Sequence, residues 1–308
     1  MRPTLRQMQY LVAVADTGRF GEAARQLNVS QPSLSAQLAE VEALLGVTLV
    51  ERGRSGAMLT PKGEDFVRRA RSVLSQVEDL KAAMAHETGH LSGRIRLGVL
   101  PSIGPYLLPS AVKHLHAMHP ELRLGVRDES TLELEARLRD GRLDTIISTV
   151  QDHRGSHSSV LFREDMWICV AEDDPLGGTT GPVSLGELED RTLLSLAYGH
   201  RQSIIIQQLA DLAGAAISAE YEGTSLDALR QMAAMGTGVA VLPSLYTVCE
   251  ARRDPTLVLR RIDHPVAQRE ISLVWRDTSP LTANFSTLAD VLSDVAAQLL
   301  GKPAAAAA

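Results

Sequence analysis

The segment from Arg19 to Arg54, RFGEAARQLNVSQPSLSAQLAEVEALLGVTLVERGR, restricts the fold of this chain more than any other stretch. Ala23, Ala24 and Leu27 form a short helix whose small side chains let a second helix come close, and Asn28-Val29-Ser30 ends it with turn chemistry. Ser30 can cap the next helix with its hydroxyl, and Pro32 falls in the first turn, where a missing N–H is tolerated. Leu34, Leu38, Val41 and Leu45 then recur at helical spacing and bury one face. Gln31, Ser33, Ser35 and Gln37 stay on the other faces, with the donors and acceptors that reach base edges and phosphates in a DNA major groove. Together these positions spell a helix-turn-helix, with Ser30, Gln31, Pro32, Ser33, Ser35 and Gln37 as its candidate groove residues.

Leu5, Met8, Leu11, Val12 and Ala15 give a supporting helix over Thr4 to Ala15, stopped by Gly18. Beyond the second helix, Gly46 to Val50 reads as a strand, Gly53 to Gly56 as a turn and Ala57 to Thr60 as the return strand. This makes a wing, and it holds Arg52 and Arg54 where phosphates would run. The net charge of −6 is unusual for a DNA binder until the chain is split. Residues 1–71 hold 10 Lys/Arg against 7 Asp/Glu, or +3, which leaves −9 for the rest. A modestly basic head on an acidic body results.

The 308 residues, 44% hydrophobic, suffice for two or three domains. No apolar run approaches the roughly 20 residues that span a bilayer, and MRPTLRQMQY has no signal-peptide core. The expectation is a cytoplasmic chain with no membrane partner. Cys169 and Cys249 are too few for a disulfide framework, and their apolar contexts suggest buried inert thiols.

Pro61 opens a longer helix, assigned to residues 62–90, after a first domain of residues 1–61. Phe66, Ala70, Val73, Val77, Leu80 and Met84 alternate four and three apart, a heptad seam. Such a seam implies a second chain, with Phe66, Val73, Val77, Leu80 and Met84 at the dimer contact and two half-sites read together. A single amphipathic helix packed on its own domain is the competing reading.

Past Gly89 and Gly93, strands and helices alternate: a strand at Arg94 to Val99, a helix at Pro105 to His119, a strand at Leu122 to Asp128, a helix at Leu132 to Asp140 and a strand at Leu143 to Thr149. Further strands are expected at Leu161 to Glu172, Leu193 to Leu196, Ala219 to Glu222, Val239 to Leu242 and Ile271 to Trp275, then a helix from Ser286 to Leu300 and a frayed tail, 302–308. Three rival motifs fail. His86-Glu87-Thr88-Gly89-His90 has zinc-hydrolase spacing, but Gly89 breaks the helix and no third ligand follows. His114, His116 and His119 read as solvated surface histidines rather than ligands. Gly236-Thr237-Gly238 precedes a strand, which makes it a turn and not a dinucleotide fingerprint. No metal, cofactor or enzymatic activity is expected.

Residues Leu5 to Gly63 closely resemble the LysR-type transcriptional regulators, through Phe20-x-x-Ala23-Ala24-x-x-Leu27-x-Val29-Ser30-Gln31-Pro32-Ser33-Leu34-Ser35, then Val41-Glu42, Leu45-Gly46, Leu49-Val50-Glu51-Arg52 and Leu59-Thr60-x-x-Gly63. The resemblance covers the whole chain. It implies a winged helix-turn-helix, a long coiled-coil linker helix and a two-lobed, periplasmic-binding-protein-like α/β effector domain over 91–301, with lobe I at about 91–164 and 266–301 and lobe II at about 165–265. Within the family, GVLPSIGPYLLP (98–109), GTSLDALRQMAAMGTGVAVLP (223–243) and Leu196-Ala197-Tyr198-Gly199-His200 are similar to the OxyR-like branch of peroxide sensors. That branch places a reactive cysteine after the Gly-His pair and a resolving cysteine about nine residues on. Here those positions hold Arg201 and Ala210, so the thiol switch is missing. Ala36, Ala39 and Glu40 stand where relatives often carry basic residues.

In such an architecture ligands sit outside the carboxyl ends of parallel strands, between the lobes. Pro101, Ser102 and Ile103, then Ser148 and Thr149, then His200, Arg201 and Ser203, then Thr224 and Ser225 converge there, and Thr131 matches a polar pocket position of the branch. Helix starts at Ser102 and Thr224-Ser225 offer free N–H groups to an anion, and Arg201 could pair with a carboxylate or sulfonate. Plain N-caps and a solvated Arg201 are the competing readings. The resemblance implies a homodimer or homotetramer that binds double-stranded DNA at a pseudo-palindromic operator and a small effector, with RNA polymerase as a partner of an activator. A thiol-independent peroxide regulator is the alternative. A solute-binding protein conflicts with the DNA-reading head.

Overall fold

The computed structural model describes residues 2–53, 56–85, 91–153, 155–197, 201–221, 223–279 and 281–301. They form two units, one built on residues 1–86 with 137–142 and one on 87–136 with 143–308.

In the first unit, α1 (Leu5–Thr17) starts in a capping box between Thr4 and Gln7 and ends at Gly18, whose φ of 66° puts it in the left-handed region. Next come α2 (Phe20–Gln26) and α3 (Gln31–Leu45). Asn28, with φ 54°, turns the chain between them, and Ser30 Oγ accepts the Ser33 N–H at 3.3 Å as the cap of α3. Leu11, Val14, Ala23, Leu34, Leu38 and Leu49 form the core. The wing is β1 (Val50–Gly53) against β2 (Gly56–Leu59), antiparallel, with Val50 opposite Leu59.

This places the first wing strand later than the expected Gly46 to Val50. Gly46 caps α3 in the left-handed region, and the N–H groups of Leu49 and Val50 go to the Glu42 carboxylate at 2.7 and 3.0 Å. A side chain of α3 thus satisfies donors that a strand partner would otherwise take. The helix α4 (Pro61–Ala85) follows. Thr60 caps it, accepting the Gly63 N–H at 3.0 Å and donating to Thr48 O at 2.7 Å. Any Cβ on Gly63 would lie 2.0 Å from Leu49 O, so only glycine fits there.

Beyond α4 the chain continues with β3 (Gly93–Val99), α5 (Gly104–Met118), β4 (Leu122–Asp128), α6 (Thr131–Arg139), β5 (Thr145–Ser148) and the long β6 (Ser156–Ala171). Then come β7 (Thr192–Leu194), α7 (Arg201–Ala213), β8 (Ala216–Ile217), α8 (Leu226–Ala234), β9 (Val239–Pro243), α9 (Ser244–Cys249), β10 (Leu257–Arg261), β11 (Gln268–Arg276) and α10 (Thr282–Leu299). The sheet runs β4-β3-β5-β11-β6-β9-β7-β8, with β10 also on β6. β6 changes partners midway: Ser156 to Asp165 pair with β11, while residues from Met166 onward pair with β9 and β10. One strand therefore belongs to both lobes, with a bulge in its β11 ladder where Leu161 is skipped between Ile271 and Ser272.

Two expectations for the second unit change. Residues 219–221 carry no strand; the partner of β7 is Ala216–Ile217, because α7 already ends at Gly214 with φ 70°. β10 was not anticipated, and its pairing with β6 spans most of a lobe of sequence. Among the described residues, no helix is long and apolar enough to cross a membrane.

Candidate functional sites: a DNA-reading helix and a buried cleft

On α3, Ser30, Gln31, Pro32 and Ser33 are exposed, while Ser35 and Gln37 are half-buried. Gln37 is partly committed: its carbonyl accepts from Gln7 Nε2 at 3.3 Å, and its amide donates to Glu40 at 3.1 Å. The exposed first turn therefore presents the freest polar edge. Arg52 lies on β1, and Arg54 is outside the described residues. The linker seam divides in two. Phe66 packs against the core of the first unit, with Val67 and Ala70 buried beside it. Val73 and Leu80 are 37% and 58% exposed, and Val77 is half-buried. Met84 sits on α4, and the motif His86-Glu87-His90 lies outside the described residues.

In the second unit the lobes meet at a cavity of about 10 Å³, room for on the order of one water molecule. Leu100, Pro101 and Ser102, just beyond β3, form one side, and Leu196, Arg201 and Gln202 form the other. Arg269 closes it. The Arg269 and Glu164 side chains are 3% and 0% exposed, and they are register partners across β11 and β6. Glu164 accepts from Arg269 at 2.7 and 2.8 Å and from the Leu245 N–H at 3.2 Å. Arg269 also donates to Ser102 Oγ at 2.9 Å. The charge of Arg269 is thus spent inside the protein.

The other expected cleft residues divide. Ser102 is not the cap of α5; Ile103, wholly buried, takes that position without a side-chain bond. Ser225 is a plain N-cap, accepting the Ala228 N–H at 3.2 Å, and Thr224 beside it is exposed. Ser148 and Thr149 are sealed, with Ser148 Oγ bonded to His153 at 2.9 Å. Thr131 begins α6, and its buried hydroxyl has no hydrogen-bond partner among the described residues. Ser203 is half-buried on α7, and His200 lies outside the described residues. Arg201 is half-buried on the cavity wall rather than solvated. His119 corrects the surface reading of its group: it is 7% exposed, and its ring accepts the Leu91 N–H at 3.2 Å, whereas His114 and His116 are exposed.

Sequence reading missed Glu164, Gln202 and Arg269. Glu164 and Arg269 could have been flagged as opposite charges set into strand runs. Both cysteines are poor nucleophiles. Burial pushes the Cys169 thiol up to about 12, and Cys249 is raised by burial and by Glu250.

A helix-turn-helix reader and a two-lobed α/β domain with a cavity between its lobes define a DNA-binding transcription regulator with an effector-binding domain. The chain belongs to the LysR family. Residues 5–64 match the model "Bacterial regulatory helix-turn-helix protein, lysR family" and residues 88–297 the model "LysR substrate binding domain". The DNA-binding transcriptional dual regulator OxyR of Escherichia coli K12 is 35% identical over 94% of both chains. A probable hydrogen peroxide-inducible genes activator of Streptomyces viridosporus is 34% identical over 95% of this chain and 94% of its own. Among solved structures, a full-length Pseudomonas aeruginosa OxyR with one cysteine replaced by aspartate is similar, with TM-score 0.77, 30% identity and coverage of 96% and 97%. Hydrogen-peroxide-bound Corynebacterium glutamicum OxyR, with a cysteine-to-serine substitution, has TM-score 0.65, 31% identity and coverage of 98% and 96%.

Proposed function

We propose that paired N-terminal units read a pseudo-palindromic operator in the cytoplasm, and that a small anionic effector bound between the lobes of the second unit changes how they do so. Gln31, Ser33 and Ser35 lie in the groove, with Ser30 and Pro32 setting the helix entry and the wing arginines on phosphates. The exposed Val73 and Leu80 supply the seam between two chains, whether in a dimer or a tetramer. If the regulator activates, RNA polymerase is its further partner. The observation that carries the effector half is the position of Arg201: it lines the cavity at the place where the branch has its reactive cysteine. Arg201 is the side chain on which this reading places a carboxylate or sulfonate.

A ligand that binds only the folded state raises the thermal midpoint. Acetate and methanesulfonate should stabilise the full chain, and Arg201→Leu should abolish the response. No shift in the parent, or an equal shift in the variant, would remove the anion from this reading.

One observation favours a second reading, peroxide sensing without a thiol. The cavity is about 10 Å³, and a relative lacking a cysteine is seen with hydrogen peroxide bound. Hydrogen peroxide should then alter operator binding by a chain carrying Cys169→Ser and Cys249→Ser. Loss of the response in that chain would return the sensing to a thiol.

A further inference from the structure

Serine, threonine, aspartate or asparagine is preferred just before a helix, because each has a side-chain oxygen for the free N–H groups of the first turn. The residue in that position before α2 is Arg19, which has no acceptor, and no side-chain bond caps this helix. A rule of local structure is broken here, and such breaks gather where a side chain serves something outside the fold.

The backbone around Arg19 is held on three sides. Gly18 ends α1 in the left-handed region, and Thr17 Oγ1 donates to Ala13 O at 2.8 Å. The wing closes on the same turn: the Ala57 N–H donates to Gly18 O at 2.8 Å, and a Cβ on Gly56 would lie 2.6 Å from that oxygen and 3.9 Å from Arg19 Cγ. Toward the reading helix, a Cβ on Gly21 would come within 3.3 Å of Gln31 Oε1. The end of α1, the wing and the first turn of α3 therefore meet beside Arg19.

Most other arginines of residues 1–71 with described side chains are already engaged. Arg6 donates to Tyr10, Arg25 to Glu22, Arg68 and Arg69 to Asp65, and Arg71 to Asp16. Arg19 is exposed, and its side chain has no hydrogen bond or ion pair among the described residues. Arg2 and Lys62 share that state, before α1 and in the first turn of α4, but Arg19 is the one within the helix-turn-helix itself.

In a helix-turn-helix the first helix crosses the DNA backbone while the second lies in the groove. Resting on the reading that α3 enters the groove, we propose that Arg19 is a positioning residue that grips one DNA phosphate and so sets the register of Gln31 and the wing on the duplex. Its guanidinium holds the phosphate through paired N–H bonds. The contact carries no base information of its own.

Fluorescence anisotropy of the full chain on a labelled mixed-sequence DNA duplex, across a salt series, tests this in the parent, Arg19→Ser and Arg19→Lys. Serine removes the charge and supplies the missing cap, so Arg19→Ser should hold or raise the thermal midpoint while flattening the slope of log K against log salt by about 0.9. Lysine keeps the charge, so Arg19→Lys should keep the parent's slope. An unchanged slope in Arg19→Ser, or an equal flattening in both variants, overturns the proposal. So does a flattening in Arg19→Ser that comes with a fallen thermal midpoint, which would make the arginine a support of the fold. Should Arg19→Ser fail to fold, Arg19→Gln supplies the neutral slope to set against Arg19→Lys. A parent that does not bind the duplex sinks the reading head itself, whereas a parent whose slope the variants leave unchanged sinks only this proposal.

Discussion

Glu164 and Arg269 face each other across two antiparallel strands at 2.7 Å, both side chains almost sealed from solvent. The pair sits beside the point where β6 changes lobes, and it ties Ser102 on one side and Leu245 on the other. Its desolvation is offset only because several bonds meet there at once. Removing one partner leaves a buried charge, at a cost of about 3–5 kcal/mol. Glu164→Gln and Arg269→Met should each lower the denaturation midpoint strongly. The double change Glu164→Leu with Arg269→Met should recover most of the loss, since it removes both charges together. Urea titration followed by circular dichroism measures this, and additive losses would refute the coupling.

Gly63 has no room for a methyl group, because Leu49 O would stand 2.0 Å from it. Gly63→Ala must push the start of α4 away from the wing and destabilise the first unit by about 1–3 kcal/mol. Operator binding should fall while the effector response of the second unit survives. Limited proteolysis with a ligand-shift assay reads the two units separately.

The DNA-reading face has few cations, with Ala36 and Ala39 exposed on α3. Arg52→Gln should flatten the salt dependence of log K by about 0.9, and Ala36→Arg should steepen it by a similar amount if one new phosphate is reached. Fluorescence anisotropy across a salt series measures both slopes. Unchanged slopes would mean that neither position meets the backbone.

Leu80 is 58% exposed on the linker helix. Replacing it with Lys should shift sedimentation toward monomer. Affinity for a two-half-site operator should fall at least tenfold, with little change on an isolated half-site. Unaltered sedimentation would place the dimer contact elsewhere.

Burial raises the Cys169 thiol from 9.0 to about 12. The folded state therefore holds its proton more tightly than the unfolded state does. This contribution is fully present below pH 9.0 and is lost as pH rises toward about 12. Stability should decline over that window, and less so in Cys169→Ala. Alkylation of native chain by iodoacetamide at pH 8, read by mass spectrometry, should leave Cys169 unmodified.

The helix-turn-helix was readable from sequence because its determinants are local. Asn28 sets the turn, Ser30 the cap, and Leu34, Leu38 and Val41 the buried face, all within a few turns of chain. The alternation of strands and helices after Gly93 was readable for the same reason, since hydrophobic period reports burial wherever an element packs one face inward. The start of the first wing strand was not, because Glu42 takes the N–H groups of Leu49 and Val50. The role of Ser102 also shifted: its sequence position at a helix start suggested a cap, but its hydroxyl accepts from Arg269, a residue 167 positions away.

By itself, then, the sequence determined a winged reader, a linker and a two-lobed domain, and it established that cysteine is absent from the places where the branch keeps its switch. Only the tertiary structure decided which polar groups of the cleft are already bonded. Arg201 and Gln202 adjoin in the chain, but whether either charge or acceptor is available depends on partners brought from distant strands. Glu164 neutralises Arg269, and Val241 turns the Gln202 amide. Hydrogen bonding at a buried site is set by what remains unpaired after folding, and no local pattern of residues records that.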